Sequence, residues 1–237
     1  MNGIEEAICK LDVRLGCFQE RFAFLGGSVL SLLVTDPSVD AIRVTKDVDV
    51  MMDIRTRKDF HRVDKRLEQL GFKHDTREDA PIGRWIYDGV TVDVLPIYED
   101  VLGWKSRWFS EALESAEDRM LGDRRVRIVS APYFVALKIE AFEDRGKRDF
   151  LTSSDFEDII CLFNGRETVV DEIASCESLR KFLAARFEEY LAEPDLEDAV
   201  DGFVQTEPSP EQRKRMVMAR FARVSRFGQT GDSPHQV

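Results

Sequence analysis

The sequences FAFLGGS at residues 22–28 and KDVDVMM at residues 46–52 contain the pattern from which the architecture of this chain is predicted. The first is a short apolar strand that runs into a glycine turn, after which VLSLLV predicts a buried helix. The second belongs to a strand predicted over 41–54. Because side chains alternate along a strand, Asp47 and Asp49 point to one face of an otherwise apolar strand.

A third carboxylate is predicted on a hairpin further along the chain. The sequence RWIYDGVTVDVLPI at residues 84–97 has Asp88-Gly89, a strong type I′ turn signal, between two alternating runs. Asp93 lies within the apolar second strand, where a lone acid is unusual unless it is paired or bound to a metal. If this strand lies beside the first, the three carboxylates converge.

The remaining elements indicate a mixed α/β class. Amphipathic helices are predicted over 3–18 and after Thr56, which can cap a helix that ends at Gly71. The order of strands and helices predicts a small mixed sheet. We therefore predict an α/β (α+β) core over 1–128, a helical region over 129–226 and a disordered tail over 227–237.

Composition and charge limit the class of protein. The chain has 237 residues and a formal net charge of −11, which argues against coating nucleic acid by bulk electrostatics. The sequence lacks an apolar run that could span a bilayer and a signal peptide at its start, so we expect a cytoplasmic protein without a membrane partner. The four cysteines have no C-x-x-C spacing, so a structural zinc site is not expected.

The three aspartates point to a divalent cation. Like charges a few ångströms apart repel one another and are costly to bury unless a cation neutralises them. Oxygen-only ligands favour Mg²⁺ or Mn²⁺ over zinc, and three converging carboxylates satisfy the need of a two-metal phosphoryl-transfer site. A solvated edge strand with a polar face would also explain Asp47 and Asp49 if they stood alone.

The turn Gly26-Gly27-Ser28 offers what a triphosphate needs. Glycine lets the backbone approach phosphate closely, the following helix start presents N–H groups, and Ser28 adds a hydroxyl. An ordinary strand-to-helix turn is the alternative. The turn is not a P-loop, because the G-x-x-x-x-G-K-[ST] pattern is absent.

The order of these features resembles the pattern of the nucleotidyltransferase superfamily typified by DNA polymerase β: a glycine turn, then the Asp-Val-Asp strand, then the later Asp93. The interval from Ser28 to Asp47 is longer than in many members. Two segments look like the AbiEii/AbiGii toxin-like group: Arg43-Val44-Thr45-Lys46-Asp47 and the later YFVALKIEAFEDRGKRDFLTSSDFEDIICLFNGR. The resemblance covers roughly residues 20–170 and implies a polymerase-β-type core.

The resemblance also implies roles for individual residues. Asp47, Asp49 and Asp93 would be the catalytic metal ligands, with Mg²⁺ or Mn²⁺ as cofactor and a nucleoside triphosphate as substrate. The nucleotide would be held by Gly26, Gly27, Ser28, Lys138, Arg43 and Thr45. For Lys138 the alternative is an exposed lysine on an amphipathic helix. Arg84, on the first strand of the hairpin, is a weaker candidate.

Three functions remain open at this stage. The first is transfer of an NMP from an NTP to an acceptor hydroxyl. The resemblance implies that the acceptor would be tRNA, in a toxin–antitoxin or phage-defence system with a cognate antitoxin. Small molecules and protein hydroxyls are the alternative acceptors. The second is a catalytically silent nucleotide-binding module on the same fold. The third is an interaction protein whose aspartates have no chemical role.

Two further clusters have two interpretations each. Residues 104–109, WKSRWF, could stack a base, although core packing is the commoner use of Trp and Phe. The basic run over 213–226 could dock RNA, whereas a solvated helix is the simpler interpretation.

Overall fold

The structure is a computed structural model, and it describes residues 3–39, 45–103, 106–205 and 209–228. The chain divides into two compact units. In its described part, the first contains residues 3–32 and 45–130, and the second contains residues 33–39 and 131–228. The sequence placed the boundary at 128/129, close to the division between Ser130 and Ala131, but gave no sign that residues 33–39 group with the C-terminal unit.

The first unit contains a seven-stranded mixed sheet in the order β3-β4-β5-β2-β1-β7-β6. Strand β2 is antiparallel to β1 and parallel to β5, and β1 is parallel to β7. The outer pairs β3–β4, β4–β5 and β6–β7 are antiparallel. The strands are β1 Phe22–Leu25, β2 Asp47–Met52, β3 Lys73–His74, β4 Arg84–Tyr87, β5 Val90–Pro96, β6 Glu117–Leu121 and β7 Arg124–Ile128.

Short helices connect these strands. They are α1 Gly3–Leu15, a 3₁₀ turn Gly27–Val29 followed by α2 Leu30–Leu33, α3 Arg57–Gln69, α4 Glu99–Leu102 and α5 Phe109–Glu114. The predicted cap of α3 is present, since Thr56 Oγ1 accepts a hydrogen bond from Asp59 N at 3.1 Å. The predicted hairpin turn is confirmed as well, because Asp88 and Gly89 both have positive φ, 50° and 78°.

The register of β2 follows from burial. Val48, Val50 and Met52 are fully buried on one face, while Asp47 and Asp49 on the other face stay partly exposed. A slip of one residue would bury both carboxylates, so the register is strongly specified.

Three expectations for this unit need correction. The strand predicted over 41–54 covers only Asp47–Met52; residues 40–44 lie outside the described part, and the chain turns after Met52, where Ile54 N donates to Met52 O at 2.7 Å. The buried helix predicted for VLSLLV is a 3₁₀ turn followed by four α-helical residues. The pair β6–β7 was missed because its sequence is strongly charged; the turn at Gly122 and the buried Val126 and Ile128 are the signals that could have found it.

The second unit is helical, as predicted. Its helices are α6 Ala131–Asp144, α7 Ser154–Gly165, α8 Val169–Ser175, α9 Glu177–Leu191, α10 Leu196–Phe203 and α11 Pro210–Ser225, followed by a 3₁₀ turn Arg226–Gly228. An aromatic cluster forms its core, with ring centroids 4.7–6.5 Å apart, a spacing typical of favourable edge and tilted contacts. Its members are Phe142, Phe150, Phe156, Phe163, Phe187, Tyr190 and Phe221. Of the tail predicted to be disordered over 227–237, Phe227 and Gly228 belong to the 3₁₀ turn, which corrects the start of that prediction, and residues 229–237 lie outside the described part.

Candidate active site

A row of four residues crosses the centre of the sheet on one face. Asp49 on β2 lies opposite Leu25 on β1 and opposite Asp93 on β5, and Asp93 lies opposite Arg84 on β4. Paired residues on neighbouring strands share a face, and Asp47 lies two residues before Asp49. The sheet therefore brings the three predicted carboxylates to one face, as the sequence indicated.

Arg84 binds Asp93 through two parallel hydrogen bonds. Its Nε donates to Oδ1 at 2.7 Å and its Nη2 donates to Oδ2 at 2.6 Å, the two-pronged geometry of a strong ion pair. The side chains are 24% and 9% exposed, and Asp47 Oδ2 lies 3.9 Å from the same Nη2. The hydrogen bond with Asp93 raises the pKa of Arg84 above its ordinary value. A positive charge therefore lies among the carboxylates, on a residue that the sequence analysis treated only as a weaker candidate.

Gly26 approaches Asp49 closely. Its backbone has φ 71° and ψ −165°, a conformation essentially restricted to glycine. A Cβ on this residue would overlap Asp49 Oδ2 and lie 2.9 Å from Asp49 Cγ. Both the backbone conformation and the space therefore require glycine, and the turn lies directly against the second carboxylate of the strand.

The other residues predicted around the nucleotide are distributed as follows. Gly27 begins the 3₁₀ turn. Ser28 is buried, and its hydroxyl donates to Leu25 O at 3.0 Å, so the hydroxyl stabilises the turn rather than facing solvent. Thr45 Oγ1 makes long contacts with the backbone of Asp47, at 3.4 and 3.5 Å, and its contact with a nucleotide stays a prediction. Arg43 lies outside the described residues.

A second arginine flanks the site on the loop between β3 and β4. Arg77 is bound to the carboxylate of Asp75, and this bond lowers the pKa of Asp75 to about 2. The hydrogen bond with Asp75 raises the pKa of Arg77, and the charge of Asp47 contributes in the same direction. Sequence reasoning missed this residue, because an exposed arginine in a charged loop has no distinctive pattern.

Lys138 lies within the helical unit, between two aspartates. Its Nζ is 2.8 Å from Asp155 Oδ1 and 2.6 Å from Asp158 Oδ2, and the residue is 6% exposed. Burial alone would lower the pKa of Lys138, but the two carboxylates outweigh it and the net shift is upward. Arg145 also donates to both oxygens of Asp155. These partners favour a structural role for Lys138; its contact with a nucleotide stays a prediction from the resemblance.

The aromatic cluster agrees with its simpler interpretation, core packing, whereas the basic run lies on a helix with a buried apolar side and is less solvated than expected. Trp108 and Phe109 are buried, whereas residues 104–105 lie outside the described part. From the basic run, Arg213 binds Asp36 and Asn164, Arg220 donates to Phe163 O, and Arg223 binds Asp171. Lys214 pairs with Asp201 and Glu211, so four of the six cations of the run are engaged in contacts inside the helical unit.

The carboxylates on this face have the chemistry that suits a divalent cation, but Asp93 is already held in an ion pair. Asp47 and Asp49 supply the oxygen donors that Mg²⁺ prefers. Asp93 is in register, yet both of its oxygens accept hydrogen bonds from Arg84. Accordingly, within the described ranges no group of three or more His, Cys, Asp or Glu side chains is arranged to hold a metal as the side chains stand. Asp47 and Asp49 fit the cation, and Asp93 fits once Arg84 releases it.

The mixed sheet with a helical region after it is a nucleotidyltransferase-like fold. It is similar to the crystal structure of an antigenic nucleotidyltransferase-like protein from Paracoccidioides brasiliensis, with a TM-score of 0.50 and 21% sequence identity, covering 83% of this chain and 91% of that chain. At this identity the likeness supports the fold alone. No model of a known protein family and no curated protein matches the sequence. Among the described residues, none of the helices has the length and apolar character needed to cross a membrane.

Proposed function

We propose that this chain is a Mg²⁺-dependent nucleotidyltransferase that moves an NMP from an NTP to an acceptor hydroxyl. One observation carries the proposal: Asp49 and Asp93 are paired across parallel strands, with Asp47 on the same face and the Gly26 turn against Asp49. On a sheet of a nucleotidyltransferase-like fold, this arrangement suits a metal-bound triphosphate. Backbone conformations restricted to glycine cluster at functional sites, and Gly26 has such a conformation directly beside Asp49.

The residues would share the work in the following way. Asp47, Asp49 and Asp93 would hold Mg²⁺ (or Mn²⁺), which would neutralise phosphate charge and activate the acceptor hydroxyl. The backbone at Gly26 and Gly27 would lie along the phosphates, because it lacks side chains that would keep them apart. Thr45 would keep Asp47 in place through its backbone contacts. Catalysis would then come from positioning and charge neutralisation rather than from a covalent intermediate.

The resemblance to the AbiEii/AbiGii group selects the first acceptor to test. It favours the acceptor end of tRNA, in a toxin–antitoxin or phage-defence setting with a cognate antitoxin. Small-molecule and protein hydroxyls are the alternatives. The net charge of −11 weakens the case for a large RNA partner, although the partly exposed cations Arg77 and Arg84 lie beside the carboxylates.

One assay tests both the chemistry and the acceptor class. The protein is incubated with each α-³²P-labelled NTP, Mg²⁺ and total tRNA, beside the Asp47→Ala/Asp49→Ala variant. Label on tRNA that disappears in the variant would support the proposal in full, and label on the protein would indicate protein nucleotidylation. Absence of label from every acceptor offered, including small hydroxyl compounds, would contradict nucleotidyl transfer.

The second candidate is a catalytically silent module on the same fold. The Arg84–Asp93 pair is the observation that favours it, because a permanent ion pair would remove one metal ligand. The silent module predicts NTP binding, seen as a thermal shift, without metal-dependent release of pyrophosphate. The same incubations, monitored for pyrophosphate, separate the two candidates.

A further inference from the structure

The geometry points to Arg84 as an internal cation that competes with the divalent metal for Asp93. This inference rests on the proposed function, since it concerns the same three carboxylates. Both oxygens of Asp93 accept hydrogen bonds from one guanidinium, at 2.7 and 2.6 Å. The two hydrogen bonds take one lone-pair direction on each oxygen, and a metal bound to Asp93 would bring a second cation close to the guanidinium, so the two cations compete for the charge of the same carboxylate.

The backbone of Arg84 is held in place, so only its side chain can give way. Arg84 is paired with Asp93 on β5, and Val94 N donates to Gly83 O at 2.9 Å. Gly83 has φ 93°, and a Cβ there would lie 2.8 Å from Val94 O, so the start of β4 is packed closely against β5. The side chain of Arg84 is nevertheless 24% exposed, which leaves it a path away from the carboxylate.

The charges of the neighbouring carboxylates explain why Arg84 and Asp93 form an ion pair. Asp93 lies opposite Asp49 and is 9% exposed, so without a cation the two carboxylates would repel each other in a poorly hydrated place. Arg84 supplies that cation, and its Nη2 also lies 3.9 Å from Asp47 Oδ2. A bound metal would supply the same charge and would repel the guanidinium at this short range, so metal binding has to weaken or break the Arg84–Asp93 pair, and this cost weakens metal binding.

The test is a titration of the full chain with Mn²⁺, in which free Mn²⁺ is measured by electron paramagnetic resonance without nucleotide. Arg84→Gln is expected to bind Mn²⁺ about tenfold more tightly than wild type, because a charge-assisted pair no longer has to be broken. Arg77→Gln is the matched control: it removes a nearby positive charge that acts on Asp47 but does not bind Asp93. We expect it to change the affinity less than about threefold, as suits an exposed charge in water.

The outcomes are distinct. Wild type that binds Mn²⁺ with no tightening in Arg84→Gln, or with equal tightening in Arg77→Gln, overturns the inference and leaves the proposed function standing. If neither wild type nor any variant binds Mn²⁺, both the inference and the metal-dependent function fail. Should Arg84→Gln not fold, Arg84→Lys replaces it: this variant keeps the charge but loses the two-pronged contact, and we expect a smaller tightening of about threefold.

Discussion

Asp49 and Asp93 occupy opposed positions on the adjacent parallel strands β2 and β5, so both carboxylates leave the sheet on the same face. Each lies in a strand whose other face is apolar and buried, and this burial fixes the register of both strands. The proximity of the two carboxylates is therefore a consequence of core packing. It holds for every conformation that keeps the sheet intact.

The first prediction concerns the chemical role of this pair. Asp49→Asn is expected to lower metal-dependent nucleotidyl transfer by at least about a hundredfold, because one metal ligand loses its charge. The measurement is the initial rate of transfer from labelled NTP. Asp53→Asn is the control, since Asp53 follows the opposite end of β2 and its carboxylate binds Arg55 and Arg21. Equal rates in the two variants would rule out a catalytic role for Asp49.

The second prediction separates backbone strain from close contact in the glycine turn. Gly26→Ala combines an unfavourable conformation with overlap on Asp49, and we expect it to cost about 3 kcal/mol or more of the free energy of unfolding. Gly71→Ala is the control, because Gly71 has φ 92° with no atom within 4 Å of a Cβ. Strain alone should cost it about 1 kcal/mol. Urea unfolding measures both; similar losses would show that contact with Asp49 is not tight.

Much of the α/β core could be predicted because its signals are local. Strand β1 has the predicted bounds, α3 has its predicted cap, and Asp88-Gly89 forms the predicted turn. The shared face of Asp47 and Asp49 follows from alternation alone. Their meeting with Asp93 depended on a guess that two distant strands are neighbours, and the structure confirms that adjacency.

Pairings between side chains that are distant in the chain could not be predicted from the sequence. Arg84 and Asp93 are nine residues apart on a hairpin, so alternation placed them on one face without indicating a bond. Lys138 was placed on a helix correctly, but its two aspartate partners lie on the next helix, 17 and 20 positions later. The strands β6 and β7 were missed because their exposed faces are charged, which obscures the apolar alternation.

The third prediction tests the structural role of Lys138. Lys138→Met leaves Asp155 and Asp158 buried without the ammonium between them, so we expect a loss of about 3–5 kcal/mol in the free energy of unfolding at neutral pH. The variant Lys138→Met/Asp155→Asn/Asp158→Asn removes the charges together. It should recover most of that loss, because the one charge left without its carboxylate is Arg145, whose side chain is 68% exposed. A single variant as stable as wild type would contradict this role and favour the predicted nucleotide contact.

The fourth prediction concerns the pH dependence of the same cluster. Burial would raise the pKa of Asp155, but the hydrogen bond from Arg145 and the charge of Lys138 outweigh it and lower the pKa from 3.8 to about 2. A depressed pKa stabilises the fold above the ordinary value, and this stabilisation is lost as pH falls towards the folded value. The contribution is about 2 kcal/mol. The difference in free energy of unfolding between wild type and Asp155→Asn should be constant from pH 7 to about 4.5 and then shrink towards pH 2. A difference that stays constant down to pH 2.5 would show that Asp155 gains no stabilisation from its ionised state.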